Sequence, residues 1–327
     1  MTIRIIDRRE AIDDMTVEWR RLLQQSDCHR AFSSPDWYGC YLSVYADCQP
    51  LIIVLEQAGH VTGIAPLVRD PAQLALRMLD DLADYQDVIV ARNDLQAIGQ
   101  LVQAAASLGD CQLRGLRPGA NLLRAFADHP DLPLQEHLDD ARSADQTCYY
   151  SDLSNGYQAF LATRSGNFRF NLRKAKRRAA EHGIQIVELK ADDISGEELA
   201  EHFLRLHLLR FPDRLFSRPQ PQAFCRQLLP AIFQQGLLRA FALRQGEQVM
   251  GLHLSVCDRH ALGIWNGGFD PAIAAIAPGK LLIDAQIQAC CDGQLKEFDF
   301  LRGDEAYKKS WSSAGRRNRE LRLSAIK

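Results

Sequence analysis

The spacing of apolar positions changes period several times along the chain, and each change marks an element. Dense apolar runs at 51–56 and 60–68 flank Gln57-Ala58-Gly59, a strand–turn–strand pattern. The same pattern returns at 238–244 and 248–257 around Gly246. Phe168, Leu172, Ala175 and Ala179 fall at helical spacing and predict an amphipathic helix covering about 157–182. Gly183 ends it, and Ile184 to Val187 starts a strand. Ser34 before Pro35 supplies a cap and a first helical residue for a helix over 35–46. Further helices are read near 10–25, 94–107, 119–128, 195–211, 220–235, 279–292 and 304–312. Further strands are read near 76–80, 86–90, 111–116, 132–138, 261–268, 296–301 and 318–325.

Runs of strands broken by single helices give an α/β fold with mixed, partly antiparallel sheets flanked by helices. The order also repeats. Val61-Thr62-Gly63 corresponds to Val249-Met250-Gly251, and the glycines are 188 positions apart. Downstream, a helix, a turn and a short strand end in Leu116-Arg117 and again in Leu301-Arg302, 185 positions apart. Two landmarks at nearly one offset point to a duplicated unit. A length of 327 residues fits two domains. With the boundary in the polar stretch 139–147, these are residues 1–145 and 146–327.

Composition narrows the functional classes. The formal net charge is −2, which argues against a basic DNA-binding surface spread over the whole protein. No uncharged apolar stretch reaches the length of a membrane span, and the N-terminus lacks the apolar core of a secretion signal. The nine cysteines are odd in number and never spaced C-x-x-C, so neither a disulfide framework nor a metal site is expected. A bacterial cytoplasmic protein with reduced thiols fits these observations.

Three segments carry residue types suited to chemistry. In 164–178, Arg169, Arg173 and Arg177 share a helix face at four-residue spacing, and such a row suits a phosphate-bearing ligand. A solvated helix face is the plainer reading. The turn Ala277-Pro278-Gly279-Lys280-Leu281 opens a helix whose first N–H groups and dipole favour an anion. In 297–311, Asp299 stands near a strand's C-terminal end, and Tyr307, Lys308 and Trp311 follow on a short helix. They supply a base, a proton donor and an oxyanion stabiliser. Alternatively, Asp299 caps its turn and Lys308 pairs with Asp304. On the strand over 248–257, His253 falls on a small, polar face with Gly251, Ser255 and Cys257, as a cleft wall would have. His207 lies on an amphipathic helix that ends before Pro212.

These segments together resemble the GNAT superfamily, and within it the double-GNAT proteins of the CelD/BioF2-like acetyltransferase family. The resemblance is carried by Phe32-Ser33-Ser34-Pro35-Asp36-Trp37, Gly63-Ile64-Ala65-Pro66, Arg169-x-x-Leu172-Arg173-Lys174-Ala175 and Leu206-His207-x-x-Arg210-Phe211. It continues through Gly268-Phe269-Asp270-Pro271, Pro278-Gly279 and Phe298-Asp299-Phe300-Leu301-x-Gly303-Asp304-Glu305-x-Tyr307-Lys308-x-x-Trp311. The arginine run and late lysine also resemble Fem-type aminoacyltransferases. The resemblance implies two tandem GNAT-like domains, the first non-catalytic and the second binding the acyl donor. The implied reaction is N-acyl transfer from acetyl-CoA or a longer acyl-CoA to a small-molecule or saccharide-linked amine.

In that reading the pantetheine arm runs along Gly263 to Gly268, past Trp265, Asn266 and Gly267, and the pyrophosphate meets Pro278, Gly279, Lys280 and Leu281. Asp299 or His253 is the base, Tyr307 the acid and Lys308 the oxyanion partner. Arg169, Arg173, His207, Arg210 and Trp311 hold the acceptor. The phosphate turn is shorter than in single-domain GNATs, which leaves open an acyl carrier protein or an aminoacyl-tRNA as donor, and a non-catalytic acyl-CoA or ligand-binding module as the alternative to an enzyme.

Overall fold

The computed structural model describes residues 2–71, 75–79, 82–92, 94–137 and 147–326. Position 80 of the expected 76–80 strand and nearly all of the boundary stretch 139–147 lie outside the described residues. Two compact units make up the chain, Met1–Thr147 with Arg316–Lys327, and Cys148–Gly315.

In the first unit the hairpin Gln49–Gln57 and His60–Asp70 is followed by helix Leu95–Leu108, strand Cys111–Leu116 and helix Asn121–Asp128. Its sheet takes in the end of the chain. Arg319–Leu323 runs antiparallel to both Cys111–Leu116 and Leu134–His137. The sequence reading counts this strand with the second domain, but the structure gives it to the first unit. Alternation turns Leu321 and Leu323 into that unit's core with Leu113, Leu116 and Leu134, while Glu320 pairs with Arg114 at 3.2 Å.

The second unit repeats the order. The hairpin Leu238–Gln245 and Gln248–Cys257 precedes helix Pro278–Asp292, strand Glu297–Arg302 and helix Ala306–Trp311. The repeat extends to a shared irregularity. Leu55 faces Gly63 and Leu243 faces Gly251, and one position further on each hairpin slips its register. A Cβ on Gly63 would meet Leu55 Cδ1 at 3.1 Å, and one on Gly251 would meet Leu243 Cδ1 at 3.2 Å. The matching glycines thus make room for matching leucines beside matching bulges.

The sheet of the second unit runs, edge to edge, Ala314–Arg317, Thr147–Asp152, Glu297–Arg302, Ala261–Phe269, Gln248–Cys257, Leu238–Gln245, Ile184–Leu189. Only Ala261–Phe269 and Glu297–Arg302 are parallel among the pairs whose register is described. Helices cover both faces. His253 on one face touches Gln286 of Pro278–Asp292. Gly268, paired with Leu252 on the other, lies against Leu206 of Gly196–Arg210. Serines start two of the helices, with Ser165 Oγ accepting from the Phe168 N–H at 3.1 Å and Ser195 Oγ from the Glu198 N–H at 3.1 Å. No helix among the described residues is long and apolar enough to cross a membrane.

Candidate active site

The site begins where two strands part. Ala261–Phe269 and Glu297–Arg302 stay in parallel register for three pairs, from Ala261 with Glu297 to Gly263 with Asp299. Beyond that the first strand continues beside Gln248–Cys257, and the second beside Thr147–Asp152, so a gap opens between them. The first strand's register slips between Leu254 and Ser255, leaving Trp265 as the extra residue between Ile264 and Asn266. A bulge re-aims its side chain. The indole lies on Phe203 and Phe216, with ring centroids at 6.2 and 5.9 Å, and Asn266 Oδ1 accepts the Gly267 N–H.

On the other wall, Asp299 is buried, and its Oδ1 accepts the Leu301 N–H at 2.8 Å. Leu301 sits at φ +54°, a left-handed conformation that a branched side chain rarely adopts. Asp299 holds that turn from one side and Lys308 from the other. The buried Lys308 ammonium donates to the carbonyls of Leu301 and Arg302 and pairs with Glu305 at 2.9 Å. The expected Lys308–Asp304 surface pair is not formed; Lys309 takes Asp304 at 2.8 Å. The cause is the turn itself, which brings two bare carbonyls over the first turn of the helix, within reach of Lys308. Tyr307, on that helix, is 43% exposed and stands beside the Phe300 ring. Trp311 is 2% exposed and packed between Phe160 and Phe168, so it belongs to the core and does not share the environment of Tyr307.

Helix Pro278–Asp292 starts at Ala277, itself left-handed at φ +57° and without a side-chain cap. Pro278 has no N–H, and Lys280 and Leu281 donate to the Ala277 carbonyl, which leaves the Gly279 N–H as a first-turn donor with no acceptor among the described residues. A Cβ on Gly279 would meet nothing within 4 Å, so the space around it is open. Two cations flank this turn. Lys280 lies over the Phe168 ring, and Arg178 donates to the Ala275 carbonyl at 3.0 Å. Arg178 was not among the sequence candidates. Of those that were, Arg169 is half-buried and Arg173 exposed, and neither has an ion pair or side-chain hydrogen bond among the described residues. Arg177 pairs with Glu181 at the surface, and Arg210 lies over Phe211 and Phe269.

The two histidines exchange standing. The face of His253 is not a cleft wall, because helix Pro278–Asp292 covers it. The Leu282 carbonyl can only accept, which fixes the Gln286 amide with its nitrogen towards Leu282 and His253 Nδ1, both at 2.9 Å. Gln286 Oε1 accepts from Ser255 Oγ. His253 therefore carries its proton on Nε2, and burial pushes its pKa down to about 4. It is neutral and offers a donor, the wrong polarity for a base.

His207 is bound the other way. Its Nδ1 meets the Gly267 carbonyl at 3.0 Å, and since a carbonyl only accepts, Nδ1 bears the proton. Nε2 is buried and has no hydrogen-bond partner among the described residues. Burial lowers its pKa, against the Gly267 carbonyl and the Asn266 side chain. A second network escaped the sequence reading. Asp284, 1% exposed, accepts from Tyr157 Oη and Gln288 Nε2 and pairs with Lys176, each at 2.6 Å. Its only trace in the sequence is a charged residue among apolar ones mid-helix. Among the described residues no group of three or more His, Cys, Asp or Glu could hold a metal ion, and all nine cysteines are free.

Residues 166–309 match a family model described as an acetyltransferase (GNAT) domain. No curated protein matches the sequence. Solved structures show the fold along the chain. FemX superposes with a TM-score of 0.66 at 10% identity, over 99% of this chain and 97% of FemX. L-PGS from Bacillus licheniformis gives 0.62 at 11% identity, over 95% and 92% of the two chains. A tandem GNAT protein from the clavulanic acid biosynthesis pathway gives 0.52 at 13% identity, over 100% and 99%. Residues 166–309 are thus similar to a GNAT-type acetyltransferase domain, and the chain as a whole shares the fold of these tandem structures.

Proposed function

We propose that the second unit transfers an acyl group from an acyl-CoA to an amine. One observation carries the reading: the strands part after Gly263 and Asp299, beside the bulge at Trp265. An extended thioester arm fits such a gap, because strand 264–268 has an edge there with no neighbouring strand from Glu297–Arg302. The arm would pair along Trp265 to Gly267. Its pyrophosphate would lie at the Gly279 N–H, where the helix dipole and the charges of Lys280 and Arg178 favour an anion. The open space beside Gly279 agrees with a ligand of that size.

The chemistry asks little of the protein beyond holding two reactants together. The amine attacks the thioester carbonyl, a base takes its proton, and the departing thiolate is reprotonated. Tyr307, half-exposed on the helix after Glu297–Arg302, is our choice of proton donor. We give Asp299 and Lys308 the task of holding the Leu301 turn, and so the gap's far wall. The fold of FemX keeps an aminoacyl-tRNA donor as the second reading, since the sequence also resembles Fem-type enzymes.

The test is thermal unfolding with CoA, acetyl-CoA and longer acyl-CoAs, on wild type and Lys280→Glu. At a hundredfold excess over Kd a ligand adds about 2.7 kcal/mol of stability. We expect a raised Tm for wild type and a smaller rise for Lys280→Glu. No shift with any of them sinks the acyl-CoA reading, and a shift only with tRNA puts the second in its place.

A further inference from the structure

We infer that His207 is the general base of this unit, its Nε2 taking the proton from the attacking amine. The inference rests on the acyl-transfer reading above and names the residue that reading left open.

His207 sits at the opened strand edge. Its ring is tied to Gly267, on the part of the strand beyond the last pair with Glu297–Arg302. The tie is tight. A Cβ on Gly268 would lie 2.5 Å from the His207 nitrogen and the Leu206 carbonyl, so only a glycine lets the helix backbone come this close. Since Nδ1 donates to a carbonyl, the lone pair is on Nε2, and that atom is buried with no donor among the described residues to satisfy it. A buried acceptor without a partner is destabilising. A substrate N–H would supply the missing donor.

The rival candidates lack this arrangement. His253 has its lone pair occupied by Gln286, and the described Oδ1 contact of Asp299 is with its own turn. Around His207 stand Phe203, Phe211 and Phe216, with ring centroids 5.1–5.4 Å away. These rings keep water from the imidazole and leave it uncharged, as a base must be. Phe211 alone of the three is not fully buried.

In the step itself, the amine lone pair forms the C–N bond to the thioester carbon. The C–S bond breaks, and its electron pair leaves on the thiolate. The proton lost by nitrogen moves to Nε2, giving an imidazolium that still donates from Nδ1 to Gly267. Tyr307 gives its proton to the thiolate, yielding the free thiol, and the imidazolium passes a proton through water to the phenolate, which restores neutral His207.

Two measurements decide it. Nitrogen NMR of histidine-labelled protein at pH 7 should show His207 neutral, protonated on Nδ1 and bare on Nε2. An Nε2–H tautomer, or an imidazolium, overturns the assignment. Thiol release from acetyl-CoA, with glucosamine or water as acceptor, should fall at least about a hundredfold in His207→Gln. His202→Gln, on the same helix, should match wild type. In both variants the Tm rise with acetyl-CoA should remain. That rise with equal rates in wild type and His207→Gln overturns the base alone. No rise and no thiol release in wild type overturns the acyl-CoA reading, and the base with it.

Discussion

Acid should weaken the second unit through His253. Its imidazole is neutral and buried, with Nδ1 satisfied by the Gln286 amide and a folded pKa of about 4 against 6.5 when free. Between those values the unfolded chain binds a proton that the folded one refuses. Stability is therefore fully present above pH 6.5 and is lost as pH falls through 4. From the two pKa values the loss is about 2 kcal/mol at pH 5 and about 3 kcal/mol at pH 4. Carboxylates titrate in the same range, so the effect must be read as a difference between two proteins. Urea unfolding of wild type and His253→Gln from pH 8 to pH 4, followed by the near-UV signal, supplies it. Wild type should lose about 3 kcal/mol more than the variant across that span. Parallel profiles would refute both the buried neutral imidazole and the Gln286 bond that fixes its tautomer.

Two further outcomes follow from contacts at the gap. Gly268→Ala would place a Cβ 2.5 Å from helix backbone that cannot rotate away, so we expect a loss of about 1–3 kcal/mol; an unchanged Tm would contradict the close approach. Lys308→Met removes the ammonium from two strand carbonyls while Leu301 stays left-handed, which should cost about 2–4 kcal/mol in denaturant unfolding. If that variant folds with wild-type stability yet loses turnover, Lys308 acts on the reaction and our structural account of it is wrong.

Several features were legible in the chain. Val61-Thr62-Gly63 and Val249-Met250-Gly251 announced two hairpins, and both carry the same bulge at the same place. Apolar spacing at Phe168, Leu172, Ala175 and Ala179 gave the buried stripe of helix Gly166–Glu181. Pro278-Gly279 marked a helix start with an open first turn. Lys308 and His253 were harder. In sequence Lys308 is a charge on a short helix, and its burial depends on two carbonyls presented by a left-handed residue seven positions earlier. The polar face of His253 read as a cleft because alternation says which residues share a face and nothing of what covers it.

The sequence by itself determined the repeated hairpins and the Ser34 cap, because these depend on neighbours a few residues apart and on glycine, proline and serine backbone preferences, while strands Thr2–Ile6 and Thr147–Asp152 gave no such signal. Tertiary structure decided the rest. It gave the last strand to the first unit, since Leu321 and Leu323 bury there. It also set the two histidines to opposite polarity. Which nitrogen of an imidazole holds the proton is chosen by the group packed against it, Gln286 in one case and the Gly267 carbonyl in the other. Those partners lie 33 and 60 residues away along the chain, and only folding brings them to the rings.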